Sequence, residues 1–224
     1  MKKTSKFKVI GLGGIGSYIV EPLCRYLSES ENDIELTLID GDVYKEKNKN
    51  RQKFINFQNK AEESCRLLKE IFSKIHIKFK SHYINDSNVF STIREDDNIF
   101  LCVDNHATRK IVSDRCEELN NIVLISGGND TTDGNVICYV KKDGKNITNP
   151  PTKLYSSIAN PIDKIPSSEE RTGCEEIIES EPQLLFTNLA IASMMLNCYR
   201  KIEHKKITFN QVYIDIDTLC TRPA

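Results

Sequence analysis

The hydrophobic pattern divides residues 1–142 into short apolar runs and longer amphipathic stretches. Runs of strand length, either continuously apolar or alternating, occur at 6–10, 34–39, 76–84, 98–103 and 122–128. Between them, apolar residues recur at helical spacing in 15–27, 59–74 and 105–120. Because strands alternate with helices, we predict an α/β fold built on a doubly wound, mostly parallel sheet.

The pattern changes in the last third of the chain. A strand is predicted at 135–142, but residues 143–182 are rich in proline, asparagine, serine and threonine and show little periodicity. An irregular segment of this length inside a compact chain is usually functional or mobile, which suggests a late crossover or lid. A helix at 183–199 and an alternating strand at 207–217 follow, so we expect antiparallel strands at the C-terminal end.

Composition argues against two classes of protein. The 224 residues carry a formal net charge of -1, without the basic excess of a nucleic-acid binder. No apolar run approaches the roughly 20 residues that cross a bilayer. The eight cysteines form no C-x-x-C pair, which excludes a zinc site of the double C-x-x-C kind. Without a signal sequence we expect a cytoplasmic, reducing location, with core positions for Cys24, Cys65, Cys102, Cys116 and Cys138.

The stretch KVIGLGGIG, residues 8–16, joins the first predicted strand to the first helix with the spacing G-x-G-x-x-G. In this pattern Gly11 permits a tight turn, Gly13 the approach of a phosphate, and Gly16 close helix packing. The helix N-terminus adds N–H donors and a partial positive charge. We therefore predict a nucleotide-binding Rossmann-like core, an irregular crossover or lid segment, and a C-terminal helix and strand completing the same domain, at 1–142, 143–182 and 183–224.

Polar residues at the end of the second predicted strand favour a triphosphate. Asp40 can accept hydrogen bonds from ribose hydroxyls, and the alternative is a solvated acidic turn. The loop after it supplies Asp42, Asn48, Asn50, Arg51 and Gln52 before Lys60 opens the next helix. Arg51 and Lys60 can neutralise phosphates, which a hydride-transfer enzyme does not need beside its ribose ligand. For Lys60 the alternative is a solvated helix face.

A third group follows the buried strand at 98–103. Asp104 stands directly after this strand, with Asn105 next to it and Arg109 in the following helix. A carboxylate at this edge of the sheet, near phosphates, suits a Mg²⁺ ligand. The alternative is that Asp104 caps the helix, and the two roles are compatible.

These motifs occur in the order G-x-G-G-I-G, D-x-D, N-x-x-R-Q, K-A and D-N-x-x-x-R. Together they resemble ThiF/MoeB-type members of the ubiquitin-activating-enzyme superfamily. DGD, CVDNH and ISGGND bring the chain closer to compact bacterial stand-alone ThiF proteins, including the PRTRC group. The resemblance implies an ATP- and Mg²⁺-dependent adenylyltransferase. Its substrate would be the C-terminal glycine of a ubiquitin-like or sulfur-carrier protein, and it would form a homodimer.

The resemblance also assigns roles to residues. It gives Asp40 the ribose, Asn48, Arg51 and Lys60 the phosphates, and Asp104 the metal. The candidate nucleotide-binding residues are Gly11, Gly13, Gly14, Gly16, Asp40, Asp42, Asn48, Arg51, Gln52, Lys60, Asp104 and Asn105. The candidate catalytic residues are Arg51, Asp104 and Cys174.

Cys174 lies in the irregular segment, shortly before the predicted helix at 183–199. Some members of the superfamily hold a catalytic cysteine at a similar place, where it takes the acyl group as a thioester, and ThiF-type relatives use a cysteine in sulfur transfer. Glu175 and Glu176 oppose thiolate formation by like charge. The alternative for Cys174 is an exposed or merely packed thiol.

Two other functions fit part of the pattern. An NAD-dependent oxidoreductase would use the glycine loop and Asp40 and could employ His106 as its acid–base group. A non-catalytic ThiF-like scaffold would bind a nucleotide and a partner without chemistry. Arg51 and Asp104 argue against the first reading, and the joint presence of Asp40, Arg51 and Asp104 argues against the second.

Overall fold

The computed structural model describes residues 4–49, 52, 57–166 and 184–224. Its strands are β1 (Thr4–Ile10), β2 (Asp33–Ile39), β3 (Ile75–Lys80), β4 (Asp97–Leu101), β5 (Ile122–Asn129), β6 (Asp133–Lys142), β7 (Lys145–Asn146), β8 (Gln211–Asp215) and β9 (Cys220–Pro223). Its helices are α1 (Gly16–Leu27), α2 (Lys60–Ile71), α3 (Val89–Thr92), α4 (His106–Glu118), α5 (Pro151–Leu154), α6 (Ser156–Ala159) and α7 (Leu185–Glu203).

All the described strands belong to one sheet with the order β3-β2-β1-β4-β5-β6-β8-β9, and the short β7 pairs with β6. The five strands from β3 to β5 are parallel, whereas β6, β8 and β9 pair antiparallel. This arrangement confirms the predicted α/β fold with a mostly parallel sheet and antiparallel C-terminal strands.

Helices cover both faces of the parallel strands. Phe7 and Val9 of β1 face the core cluster formed with α1, α2 and α7, whereas Ile10 faces the cluster formed with α3 and α4. Burial on both faces explains why these strands are continuously apolar in the sequence. It also leaves the carboxyl ends of the strands and the loops that follow them as the place where polar side chains meet at a cleft.

The strand order reverses direction at β1, which pairs with β2 on one side and β4 on the other. At this switch point the connections from β1 and β4 leave on opposite sides of the sheet, which opens a crevice at the carboxyl ends of the strands. Ile10, Ile39 and Leu101 end the three strands beside the crevice. The candidate residues of the sequence analysis follow these strand ends.

Several boundaries differ from the predictions. The predicted strand 207–217 is the shorter β8, and β9 forms a hairpin with it that the sequence pattern did not indicate. The described part of the irregular segment, 143–166, contains β7, α5 and α6, so it is more ordered than predicted. Residues 167–182 lie outside the described residues, and the predicted division of the chain at 142 and 182 stays a prediction. The five cysteines predicted to be core residues are buried.

Candidate functional site

A cleft of about 1290 Å³ lies at the carboxyl edge of the sheet. One half is bounded by the loop between β1 and α1, the loop after β2, and the ends of β3 and β4. The other half is bounded by the ends of β5, β6 and β8 and by α6. The volume exceeds what one small ligand usually fills, so the cleft has room for two reactants.

The loop from Gly11 to Gly16, called the glycine loop below, needs glycine at two positions for steric reasons. Gly11 has a φ of +85°, and a Cβ there would lie 2.8 Å from the carbonyl oxygen of Cys102. A Cβ on Gly16 would lie 1.9 Å from the carbonyl oxygen of Gly11. The φ of Gly11 confirms the predicted tight turn, and the Gly16 position has no room for a side chain against that turn.

Gly13 faces open space, because the nearest atom to an added Cβ is Gln52 Nε2 at 3.9 Å. The backbone N–H groups of Gly13, Gly14 and Ile15 have no backbone acceptor among the described residues. These N–H groups stand at the N-terminus of α1, where the helix dipole favours an anion. The loop can therefore hold a phosphate.

Asp40 is buried beside the glycine loop, with 8% of its surface exposed. Its Oδ2 accepts the Leu12 N–H at 2.5 Å, and its Oδ1 accepts the Asp42 N–H at 2.7 Å. Burial raises the pKa of Asp40 to about 6, while Lys60 and the two N–H groups act in the opposite direction. Asp40 is thus part of the cleft wall, and the alternative of a solvated acidic turn is wrong.

Lys60 is also buried, with 5% of its surface exposed, so the alternative of a solvated helix face is wrong. Its Nζ lies 3.1 Å from Asp42 Oδ2, and the Tyr83 hydroxyl donates to Asp42 Oδ1. Asn59 caps α2 and donates to the carbonyl oxygens of Asp40 and Asp42 at 2.8 and 3.1 Å. This network holds the Lys60 ammonium group at the cleft, beside the end of β2, which neighbours the strand that leads into the glycine loop.

Asn48 and Gln52 line the cleft and are both buried. Asn48 lies in a 3-10 turn, Glu46–Asn48, where its Oδ1 accepts the Lys45 N–H at 3.0 Å. Gln52 Oε1 has no hydrogen-bond partner among the described residues. Arg51 and Cys174 lie outside the described residues, so their predicted roles stay predictions.

Asp104 and Asn105 take different places at the end of β4. Asn105 caps α4, because its side chain accepts the Thr108 N–H at 2.8 Å. Asp104 does not cap the helix, so that alternative is wrong; it is exposed and lines the cleft. In the described part of the chain no cluster of three or more His, Cys, Asp or Glu residues could hold a metal ion. As far as the described residues go, the further ligands of a metal at Asp104 would be water molecules or a bound substrate.

Sequence reasoning missed several residues of this site. Asn59 and Tyr83 organise the Asp42–Lys60 pair, and Asn129 lines the other half of the cleft. Arg109, noted only for its spacing, is buried and donates to Val103 O at 2.7 Å and Gly127 O at 2.8 Å, which ties the ends of β4 and β5. The position of Tyr83 just after β3 is a signal that could have identified it.

A family model described as the ThiF family matches residues 2–219. The chain belongs to the ThiF family. This membership agrees with the resemblance drawn from the motifs, and it covers the glycine loop, both cleft halves and α7. Among the described residues of this ThiF-family chain, no helix has the length and apolar character required to cross a membrane.

Known proteins resemble this ThiF-family chain in sequence or fold. The adenylyltransferase and sulfurtransferase MOCS3 of Drosophila ananassae is 31% identical over 146 residues, which are 63% of this chain and 31% of that protein. E. coli MccB with ATP has a TM-score of 0.69 at 19% identity, covering 98% of this chain and 63% of that chain. The microcin C7 biosynthetic enzyme MccB with N-formylated MccA has a TM-score of 0.71 at 20% identity, covering 98% and 64%. At these identities the structures establish the fold alone.

Proposed function

We propose that this ThiF-family chain is an ATP- and Mg²⁺-dependent adenylyltransferase that activates the C-terminal carboxylate of a ubiquitin-like or sulfur-carrier protein. The observation that carries the proposal is the convergence of four groups on one cleft. They are the glycine loop, the buried carboxylate of Asp40, the buried cation of Lys60 and the open carboxylate of Asp104. A dinucleotide site would use the first two and would leave the last two without a role.

In this proposal each group binds one part of ATP. Asp40 accepts hydrogen bonds from the ribose, since each carboxylate oxygen has a second lone pair beyond its backbone N–H bond. The free N–H groups of the glycine loop bind phosphate oxygens. Lys60, together with Arg51 as predicted from the sequence, neutralises the rest of the triphosphate.

Asp104 fits a Mg²⁺ ligand. It is exposed in the cleft, and a protein commonly binds this ion through one or two carboxylates together with substrate phosphates. The bound ion would supply charge neutralisation at the phosphates. The absence of a larger carboxylate cluster in the described residues is compatible with this mode of binding.

The chemical step is a displacement at phosphorus. An oxygen of the partner's terminal carboxylate forms a bond to the α-phosphorus of ATP, the bond from that phosphorus to the bridging oxygen breaks, and pyrophosphate leaves with the electron pair. No proton transfer is required. Lys60 and the loop N–H groups stabilise the charge that moves onto pyrophosphate, which is where catalysis of this kind gains most.

The second half of the cleft supports a place for the partner's tail. Asn135, Tyr155 and Tyr213 line it, with Asn135 Nδ2 donating to the Tyr155 hydroxyl at 2.8 Å and the two tyrosine hydroxyls 2.9 Å apart. These groups suit an extended peptide, whose backbone offers donors and acceptors. MccB, which shares the fold, has structures with ATP and with the peptide MccA.

The finer parts of the proposal rest on the sequence resemblance. They are a terminal glycine on the partner, transfer of the acyl group to Cys174 as a thioester, homodimerisation and a cytoplasmic location. The non-catalytic scaffold is the second candidate, because the described site alone explains nucleotide binding without chemistry.

Two measurements test the proposal in sequence. Calorimetric titration with ATP–Mg²⁺ and with NAD should show binding of ATP only. ATP–pyrophosphate exchange with small proteins encoded beside this gene should then identify an acceptor. Binding of NAD in preference to ATP would contradict the proposal at its first step, whereas ATP binding without exchange for any acceptor would favour the scaffold.

A further inference from the structure

Asn188 of α7 is fully buried and packs against the glycine loop. A Cβ added to Gly14 would lie 2.5 Å from Asn188 Nδ2, and the other side-chain atoms of that amide would be 2.8 Å away. Gly13, by contrast, faces open space. Gly14, the extra glycine of the motif, therefore makes room for a side chain from a distant helix.

The orientation of the Asn188 amide follows from its neighbours. Asn129 Nδ2 lies 3.3 Å from the carbonyl oxygen of Asp130, which can only accept a hydrogen bond. The same Nδ2 donates to Asn188 Oδ1 at 3.1 Å. Asn188 thus presents its oxygen to the end of β5, and its NH₂ group is the end nearest to Gly14.

The NH₂ group of Asn188 has no hydrogen-bond partner among the described residues. The Ser17 hydroxyl, in the first turn of α1, is a second buried polar group in the same condition. Buried donors are rarely left unsatisfied, so an unsatisfied one beside a ligand-binding loop indicates a function there. The glycine loop, with the phosphates that it would hold, lies beside this NH₂ group.

We propose that Asn188 is a positioning residue that sets the glycine loop for the phosphates of the nucleotide. Its Oδ1 is fixed by Asn129, and its NH₂ group lies 2.5 Å from the place that a Cβ on Gly14 would occupy, beside a residue whose own N–H is a candidate phosphate donor. This inference rests on the proposed function, because it requires that the loop bind phosphate. It adds a residue of α7 to the nucleotide site and explains why position 14 is a glycine.

The test compares two ligands that share the nucleoside and differ in the triphosphate and its Mg²⁺. Dissociation constants for ATP–Mg²⁺ and for adenosine are measured on the full chain by calorimetric competition. Asn188→Asp keeps the side-chain shape and the acceptor for Asn129 but replaces the donor by an anion. We expect ATP affinity to fall about 10- to 100-fold, as for the loss of a hydrogen bond near charged groups, with adenosine affinity changed less than about twofold.

Asn188→Ala is the second variant, since it removes the donor without adding charge and should also weaken ATP selectively. Asn197→Asp is the matched control, because Asn197 is exposed on the same helix and bonds only Ser193 O at 3.0 Å among the described residues. Gly14→Ala should lower the thermal midpoint, and adding Asn188→Ala should restore it without restoring ATP affinity. This last result would show that the contact is steric and the donor functional.

Each outcome decides between the two proposals. If the wild-type chain binds ATP no better than adenosine, the loop does not bind the phosphates, and both the proposed function and this inference fail. If the wild type prefers ATP and both Asn188 variants keep the full preference, only the inference fails. A parallel loss of ATP and adenosine affinity would also overturn it, because that result indicates general damage to the site.

Discussion

Asp40 offers the sharpest test of the electrostatics of the site. Its folded pKa of about 6 stands well above its ordinary value of 3.8, chiefly because of burial. At about 1.4 kcal/mol per pKa unit, the ionised carboxylate costs the folded chain about 3 kcal/mol at neutral pH. The perturbation is Asp40→Asn, which keeps the shape and does not titrate.

The sign follows from proton binding. The folded chain holds the Asp40 proton more tightly than the unfolded chain, so this group's contribution to the free energy of unfolding falls as the pH rises from 3.8 to about 6. Between about pH 4.5 and pH 7.5, the wild type should lose about 2 kcal/mol relative to Asp40→Asn. Urea unfolding of both chains at the two pH values measures this double difference, in which the carboxylates that do not interact with Asp40 cancel.

The ATP affinity of the wild type should rise as the pH rises, whereas the contribution of Asp40 to stability falls. Ribose hydroxyls donate to the ionised carboxylate, so wild-type affinity should fall about tenfold at about pH 5, where most of Asp40 is protonated. Asp40→Asn should bind ATP weakly with no such step. A double difference that stays flat from pH 4.5 to pH 7.5 would refute the burial argument. Wild-type ATP affinity in Asp40→Asn would refute the ribose assignment.

Two further substitutions test the cation and the loop geometry. Lys60→Met should weaken ATP–Mg²⁺ binding about 10- to 100-fold, measured by calorimetry, because it removes a charge-assisted contact. Lys69→Met, on the exposed face of α2, is the control and should leave the affinity unchanged. Equal effects of the two substitutions would contradict the role of Lys60. Gly11→Ala should lower the free energy of unfolding by about 1–3 kcal/mol in urea because the residue has a φ of +85°, and an unchanged midpoint would contradict the steric argument.

The parallel core and the glycine loop could be predicted because their signals are local. Strands buried on both faces must be continuously apolar, and Gly11 and Gly16 follow from the spacing of one motif. The hairpin partner β9 could not be predicted, since Cys220–Pro223 is exposed and carries no alternation. Its pairing depends on β8.

The burial of the charged residues in the site could not be predicted from the sequence. Whether Asp40 and Lys60 are solvated or buried depends on how three strand ends meet, and the sequence left both alternatives open. Asn188 gave no signal at all, because its importance arises from contact with Gly14, a residue far away along the chain. Such long-range contacts between polar residues have no periodicity that a sequence pattern can show.

The most direct test of acyl adenylation is ATP–pyrophosphate exchange measured with an acceptor protein, in wild type, Asp104→Ala and Cys174→Ala. We predict Mg²⁺-dependent exchange that is lost in Asp104→Ala and kept in Cys174→Ala, because adenylation precedes any transfer to a thiol. Exchange that survives unchanged in Asp104→Ala would contradict the proposed site.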